Sequence, residues 1–179
     1  MEISSVILAK SKSKRLPNKN TLDYKGEPMF LTNVKKCVSI FKDTYVSSDS
    51  HQTLKEAESV GAIGILRGED LCGDTPSVPV FQHAFQQMSS DIDGIISVQA
   101  NSPQVERNLI VLVKKLMEIG MQEVMTCDKD YKIYGSIWGI SKERLLNYGD
   151  PYKQKPDVLL LDTSLDIHTL SDYNKLNEK

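Results

Sequence analysis

Short apolar runs alternate with segments of helical periodicity from the first residues of this chain to Gly120, and few folds accept that order. Ile3 to Leu8, Thr44 to Val46, Ala62 to Leu66 and Gly94 to Val98 read as strands. Between them, Met29 to Phe41, His51 to Val60, Val78 to Met88 and Glu106 to Ile119 read as helices, the second stopped by Gly61 and the last by Gly120. In the first helix Phe30, Val34, Cys37, Val38 and Phe41 recur at three- and four-residue intervals, with Lys35 and Lys36 on the solvent side. Such alternation predicts a mostly parallel α/β sheet. Beyond Glu123 the pattern turns strand-rich, with Val124 to Thr126, Ile133 to Ile140, Val158 to Leu161 and one short terminal helix.

The first strand empties into Ala9-Lys10-Ser11-Lys12-Ser13-Lys14-Arg15-Leu16-Pro17-Asn18-Lys19-Asn20, where five of the ten residues from Lys10 to Lys19 are Lys or Arg. The whole chain carries a formal charge of -2, so this positive charge is local. Ligands of open α/β sheets collect outside the carboxyl ends of strands, and cations placed there neutralise phosphates. A nucleotide is the first ligand this implies, and a solvated surface loop is the competing reading. The segment holds neither a Walker loop nor a dinucleotide fingerprint, since the first glycine is Gly26.

The loop resembles the N-terminal signature of the sugar-acid cytidylyltransferases, the CMP-N-acetylneuraminate synthetase family, Ala-Arg-Gly-Gly-Ser-Lys-Gly-Ile-Pro-x-Lys-Asn. Ala9, Ser13, Lys14, Pro17, Lys19 and Asn20 match without a gap, Leu16 is a conservative replacement, and Arg15-Leu16-Pro17 is similar to the related KDO enzymes. Lys25-Gly26-Glu27-Pro28-Met29 follows where that family has Gly-Lys-Pro-Leu or Gly-Lys-Pro-Met. Val46-Ser47-Ser48-Asp49 resembles its Val-Ser-Thr-Asp, Leu66-Arg67 its Leu-Arg-Pro, and Asp74-Thr75-Pro76-Ser77 its Asp-Thr-Ala-Ser. Gln99-Ala100-Asn101-Ser102-Pro103 stands where the family has Gln-Pro-Thr-Ser-Pro, and Asp166-Ile167-His168-Thr169 with Asp172 where it has Asp-Ile-Asp-Thr-x-x-Asp.

The resemblance implies a Rossmann-like nucleotidyltransferase fold, with helices on both faces of the sheet, as a single domain over residues 1–179. It implies transfer of CMP from CTP to a nonulosonic or related sugar acid, with release of pyrophosphate. Leu8, Ala9, Lys10, Ser13, Lys19, Asn20, Arg67 and Ser77 would contact the nucleotide, Gln99 and Asn101 the sugar acid, and Asp166, with His168, Mg2+ or alternatively Mn2+. Lys10, Lys19 and Asp166 are the implied catalytic set. The bland readings are a surface ion pair for Arg67, a helix cap for Ser77, turn chemistry for Gln99 to Pro103 and a sheet-edge position for His168. Thr169 and Asp172 read as a capping pair, and Trp138 as a core residue.

Four departures separate the chain from the signature. Lys10 replaces an arginine fork with a point charge, and Ser11 and Lys12 replace two glycines. His168 replaces a carboxylate, and imidazole suits Mg2+ less well than oxygen does. Only Asp128 to Ile133 fills the interval where family members insert several tens of residues that build the dimer contact, so a homodimer is left without its usual segment. A shortened, silent nucleotide-binding relative is therefore the alternative to an active enzyme. No aromatic-basic interleaving points to nucleic acid. No apolar stretch approaches membrane-spanning length and no signal-peptide pattern precedes Ile3, so a cytoplasmic protein is expected. Cys37, Cys72 and Cys127 are widely spaced and read as buried reduced thiols.

Overall fold

The computed structural model describes residues 1–73, 75–149 and 155–178. Strand β1 (Ile3–Leu8) leads through the basic loop into a small hairpin, β2 (Asp23–Tyr24) and β3 (Glu27–Pro28), and then into α1 (Met29–Val38). There follow β4 (Thr44–Ser48), α2 (His51–Ser59), β5 (Ile63–Leu66), α3 (Ser77–Gln86), β6 (Gly94–Val98) and α4 (Arg107–Glu118). The remaining elements are β7 (Glu123–Cys127), β8 (Ile133–Ser141), α5 (Lys142–Leu146), β9 (Val158–Leu161) and α6 (Leu170–Asn177).

The main sheet has the order β5-β4-β1-β6-β8-β7-β9. Every neighbouring pair is parallel except those made by β8, which runs antiparallel to both β6 and β7. The first four strands form a doubly wound half sheet whose order reverses between β1 and β6, and a crevice opens at their carboxyl ends. The loop after Leu8 and the turn after Val98 both arrive there.

Alternation along the strands divides the core between two faces. Ile3 and Ile7 of β1 and Ile96 and Val98 of β6 pack with α1, α2 and α4 through Phe30, Val34, Ala57, Ile110 and Val113. Val6 and Ile95 face the other way, toward Phe81, Ala84 and Phe85 of α3 and Leu145 of α5. Phe30 is fully buried. Burial of an aromatic side chain of that kind contributes about 2 kcal/mol. A third cluster joins Leu16 of the basic loop and Tyr24 and Met29 to Ile167 and Leu176 near the carboxyl end. The helix that supplies Leu176 starts with a complete capping box from Thr169 and Asp172, as the sequence spacing predicts.

Lys36 departs from its expected solvent position. Its Nζ donates to Asn33 Oδ1 at 2.9 Å and to the carbonyls of Pro103 and Val105, each at 2.7 Å, which engages all three ammonium donors. Burial pushes this lysine down to about 8, with Lys25 adding to the lowering and Cys37 and Asp162 opposing it. Asn33 Nδ2 donates to the carbonyls of Gln99 and Ser102, so α1 clamps the turn after β6 from below. The periodicity of α1 was right about its apolar stripe, but a long lysine at the stripe's edge found carbonyls that only the folded chain supplies. Cys37 and Cys127 are buried, whereas Cys72 is half-exposed, with its Sγ 3.1 Å from the Gly68 carbonyl. Burial lifts the Cys37 thiol to about 12.

At the far edge, Asp162 closes β9. It accepts from Tyr134 Oη at 2.8 Å, from Ser164 N at 2.9 Å and Ser164 Oγ at 2.6 Å, and from Ser136 Oγ. Burial alone would raise its pKa, but the hydrogen bonds from Ser136, Ser164 and Tyr134 outweigh it and hold the carboxyl below its usual range. The stability this carboxylate contributes is therefore complete above the ordinary Asp range and lost as pH falls through the lowered value. Asp162→Ala leaves buried hydroxyls unpaired and is expected to cost about 3 kcal/mol, read as a lowered midpoint in urea unfolding at pH 7. The difference from wild type should narrow on acidification.

Candidate active site

Two adjoining cavities occupy the crevice between β1 and β6. One, of about 190 Å3, is lined by Lys10, Lys19, Asn20, Arg67, Ser77 and Asn101 among others. The second, of about 400 Å3, is walled by Phe81, Met125, Ile133 and Trp138 and carries Ser97 and Gln99 as polar groups. Leu8, Ser77 and Asn101 line both and so mark their junction.

The basic loop reaches this position through ties at several points. Ala9 N donates to the Ser47 carbonyl at 3.0 Å, extending the sheet by one residue. Ser11 donates to Asp49 twice, from its backbone N at 2.7 Å and from Oγ at 2.6 Å. Burial would raise the Asp49 pKa, but these bonds and the nearby Arg67 charge hold it below the usual range. Neither Ser11 nor Lys12 takes a positive φ; only Asn18 in this loop does, at 53°. The loop thus forms without the two glycines of the signature, and the Ser11 hydroxyl points to Asp49. Sequence reading matched Asp49 to a motif but gave it no role, because its partner lies 38 residues away.

Lys10 Nζ donates to the Gly73 carbonyl at 2.9 Å, and Asn20 Nδ2 to the Lys10 carbonyl at 3.0 Å. Lys19 is half-buried, and desolvation lowers its pKa against the opposing charge of Asp166, with Arg15 and Lys10 adding to the lowering. Arg67 is buried, not on the surface, with Nη2 donating to the Ser47 carbonyl at 3.0 Å. Ser13 is half-buried on the same loop but does not line the smaller cavity. Three buried polar atoms here have no partner among the described residues: Asn20 Oδ1, Arg67 Nε and Ser47 Oγ. Each such group costs about 1–3 kcal/mol if left unpaired, and two of the residues, Asn20 and Arg67, line the smaller cavity, which points to a polar ligand there.

Ser77 corrects the capping expectation. It is the first residue of α3; Pro76 occupies the cap position, and no side-chain cap bond forms. With its φ near -54° and ψ near 150°, Pro76 brings the chain in extended and leaves the Ser77 side chain exposed at the cavity junction. Asp74, from the same motif, lies outside the described residues.

On the opposite wall, Asn101 and Ile167 bond reciprocally: Ile167 N donates to the Asn101 carbonyl and Asn101 Nδ2 to the Ile167 carbonyl, each at 3.0 Å. Asn101 Nδ2 also donates to Asp166 Oδ1, and Ser102 Oγ lies 3.4 Å from the same oxygen. His168 Nε2 is 2.6 Å from Asp166 Oδ2, and its Nδ1 is 3.0 Å from Arg15 Nη2. A guanidinium only donates, so Nδ1 accepts and Nε2 carries the proton shared with Asp166. Sequence alternation placed Asp166 and His168 on one side of an extended segment. The two residues do meet there, but by binding each other, and both ring nitrogens of His168 are engaged.

No group of three or more His, Cys, Asp or Glu side chains among the described residues is arranged to hold a metal ion. Asp166 alone, with a lone pair left on Oδ2 after the bond from His168, fits a hard cation that brings most of its oxygen ligands from phosphates. Trp138 is buried as expected: Nε1 donates to Glu123 Oε1 at 2.8 Å, and its ring meets Phe81 edge-on at 5.3 Å.

A doubly wound sheet with a cationic loop at its switch point, and orphaned polar atoms of Asn20 and Arg67 at the adjoining cavity, has the form of a nucleotide-binding α/β fold. The chain belongs to the cytidylyltransferase family, whose model matches residues 5–138. It is 28% identical to a CMP-N,N'-diacetyllegionaminic acid synthase of Legionella pneumophila, covering all of this chain and 96% of that protein. That alignment runs over 223 positions against the 179 residues here. It is 31% identical to the 3-deoxy-manno-octulosonate cytidylyltransferase of Chloroherpeton thalassium over 62% of this chain, and 30% identical to the N-acylneuraminate cytidylyltransferase of Escherichia coli over 65%. These matches span 44% and 28% of those two proteins.

Among solved structures, a CMP:2-keto-3-deoxy-manno-octonic acid synthetase complexed with CTP superposes with a TM-score of 0.81 at 13% identity, covering 99% of this chain and 98% of that one. Rv0371c of Mycobacterium tuberculosis, solved with manganese, superposes at 0.75 with 16% identity over the full length of both chains. Both likenesses establish the fold. No described helix is long and apolar enough to cross a membrane.

Proposed function

We propose that this chain transfers CMP from CTP to a nonulosonic or related sugar acid. The observation that carries this reading is the gathering of Lys10, Lys19, Asn20 and Arg67 around one cavity, with two unpaired polar atoms among them, beside a second cavity suited to an acceptor. In the reaction a hydroxyl oxygen of the sugar acid bonds to the α-phosphorus of CTP. The bond from that phosphorus to the bridging oxygen breaks, pyrophosphate leaves with its electron pair, and the proton of the attacking hydroxyl is released to solvent.

Lys10 and Lys19 lie where they offset the charge that gathers on the leaving pyrophosphate. Asn20 and Arg67 complete their hydrogen bonding on the nucleotide, which the orphaned Oδ1 and Nε favour, and Ser77 adds a hydroxyl at the junction. Leu8 lines both cavities, and the buried Ala9 fixes the start of the loop at the strand end through its bond to Ser47. Gln99 and Asn101 face the acceptor. Asp166 would hold a divalent cation, Mg2+ or Mn2+, which when bound supplies charge neutralisation at the phosphates. His168 orients the Asp166 carboxylate and is itself set by Arg15.

Calorimetric titration with CTP, ATP, GTP and UTP in Mg2+, followed by pyrophosphate release with several sugar acids, tests the proposal. Selective CTP binding with release on adding one acid is the expected result. Selective binding with no release from any acid would make this a silent relative, and no binding would remove the nucleotide from the reading.

A further inference from the structure

We infer that Asn33 and Lys36 of α1 are positioning residues for the transfer, holding the turn after β6 so that its other side sets Asp166 and Gln99. The inference rests on the proposed transfer and adds two residues that line neither cavity of the cleft. Ala100 to Pro103 and Val105 are all buried, and a buried turn must find partners for its carbonyls within the protein. Two side chains of α1 supply four of them. Asn33 Nδ2 donates to the Gln99 carbonyl at 2.8 Å and to the Ser102 carbonyl at 2.9 Å. Lys36 Nζ donates to the Pro103 and Val105 carbonyls and back to Asn33 Oδ1, so the two side chains are themselves linked. Two carbonyls on one side and an ammonium on the other fix which end of the Asn33 amide is nitrogen. Asn33 is fully buried on a helix whose other buried residues are Met29, Phe30, Leu31, Val34 and Cys37. A buried amide in that company costs stability unless its bonds are made, and here every one of them serves the turn.

The same turn meets the reacting groups on its other side. Asn101 Nδ2 donates to Asp166 Oδ1, the Asn101 carbonyl accepts from Ile167 N at 3.0 Å, and Ser102 Oγ lies 3.4 Å from Asp166 Oδ1. Gln99 Nε2 donates to the carbonyls of Tyr134 at 3.1 Å and Gly135 at 2.9 Å, which fixes that side chain in the wall of the larger cavity. Residues 99–102 therefore bridge α1 to Asp166. Lys10 and Lys19 reach the smaller cavity from the basic loop, so a displaced turn would move Asp166 relative to the triphosphate. A misplacement of about 1 Å caused far from the chemistry costs about 100-fold in rate.

Lys36 is the part of this clamp that titrates. It lines a separate groove that shares no lining residue with the two cavities of the cleft. There it faces Lys25 and Glu27 of the hairpin, Glu106 and Arg107 at the start of α4, and Asp162 after β9, with Cys37 beside it on α1. Burial, helped by Lys25 and opposed by Cys37 and Asp162, brings its pKa to about 8. Below that value three N–H groups meet three acceptors. Above it the neutral amine keeps two N–H groups and turns a lone pair toward the third acceptor, which loosens the turn.

The test measures kcat for pyrophosphate release at saturating CTP in Mg2+, so that the titration of Lys19 acts on binding and stays out of the comparison. The acceptor is whichever of N,N'-diacetyllegionaminic acid, pseudaminic acid and 3-deoxy-manno-octulosonate the wild type uses fastest. Lys36→Met is expected to lower kcat by about 10- to 100-fold while CTP affinity stays within about twofold of wild type. The wild-type advantage should shrink as pH rises through about 8, which a passive packing role would not produce. Lys36→Arg, whose cation does not titrate in this range, should gain on wild type over the same interval, and it serves alone if Lys36→Met fails to fold. A Lys36→Met kcat within about twofold of wild type, or ratios to wild type that do not change with pH, overturns the inference and leaves cytidylyl transfer standing. Proportionate losses of kcat and CTP affinity make the clamp a support of the whole fold and overturn it as well. Wild-type release with none of the three acids overturns the transfer reading itself and the positioning role with it, which distinguishes the two failures.

Discussion

Asp166→Asn is expected to lower the rate of pyrophosphate release by about 10^3-fold, with the unfolding midpoint shifted little and CTP affinity in metal-free buffer nearly unchanged. The substitution keeps the volume of the side chain and an oxygen that can accept from Asn101 or His168. What it removes is the negative charge and the lone pair left on Oδ2. The asymmetry of the site makes this variant decisive. A second carboxylate could take over in a two-acid site, but here residue 168 is a histidine with both ring nitrogens bonded, one to Asp166 and one to Arg15. Retention of more than a tenth of the wild-type rate would remove Asp166 from the reacting centre.

Lys19→Met is expected to weaken CTP binding by about 100-fold, on the scale of a charge-assisted phosphate contact made in a partly desolvated site. Its signature is the pH profile. Desolvation lowers the Lys19 pKa, so the ammonium that attracts triphosphate is lost as pH rises through a value below that of an ordinary lysine. Wild-type affinity should therefore decline on the alkaline side before solvent-exposed lysines titrate, and binding below that value should be accompanied by little change in bound protons. In Lys19→Met the early decline should be absent, and only the later one remain. A variant with wild-type affinity and profile would place the triphosphate elsewhere.

The features legible in the sequence are those whose causes are local. Apolar periodicity located β1, β4, β5 and β6 and their helices, because a strand's alternation and a helix's stripe need only neighbouring residues. The cationic loop and the capping box of α6 were equally visible. What could not be read depends on partners distant in sequence. Lys36 looks solvent-facing until the turn at Pro103 to Val105 folds beneath it. Asp49 acquires its purpose only when Ser11 arrives from another strand end. Ser11 and Lys12 stand where the signature has glycines, and neither takes a positive φ, which only the folded loop reveals. The competing cap reading of Ser77 fails for a related reason: the residue type is that of a cap, but the proline before it occupies the position. The antiparallel direction of β8, set by the turn at Asp128 to Lys132, follows from pairing with β6 and β7 that apolar spacing does not encode.

The small cluster that joins Leu16, Tyr24 and Met29 to Ile167 and Leu176 also sets an order of events during synthesis. The basic loop leaves the ribosome well before Ile167 and Leu176, the members of this cluster that are translated about 150 residues later. The sheet from β1 to β6 can pair while the chain is still growing, with the loop between β1 and α1 held at its strand end and open elsewhere. Competence to bind nucleotide then waits for the segment from Ile167 to Leu176, so a nascent chain stalled before Ile167 would carry a formed sheet and an unfinished site.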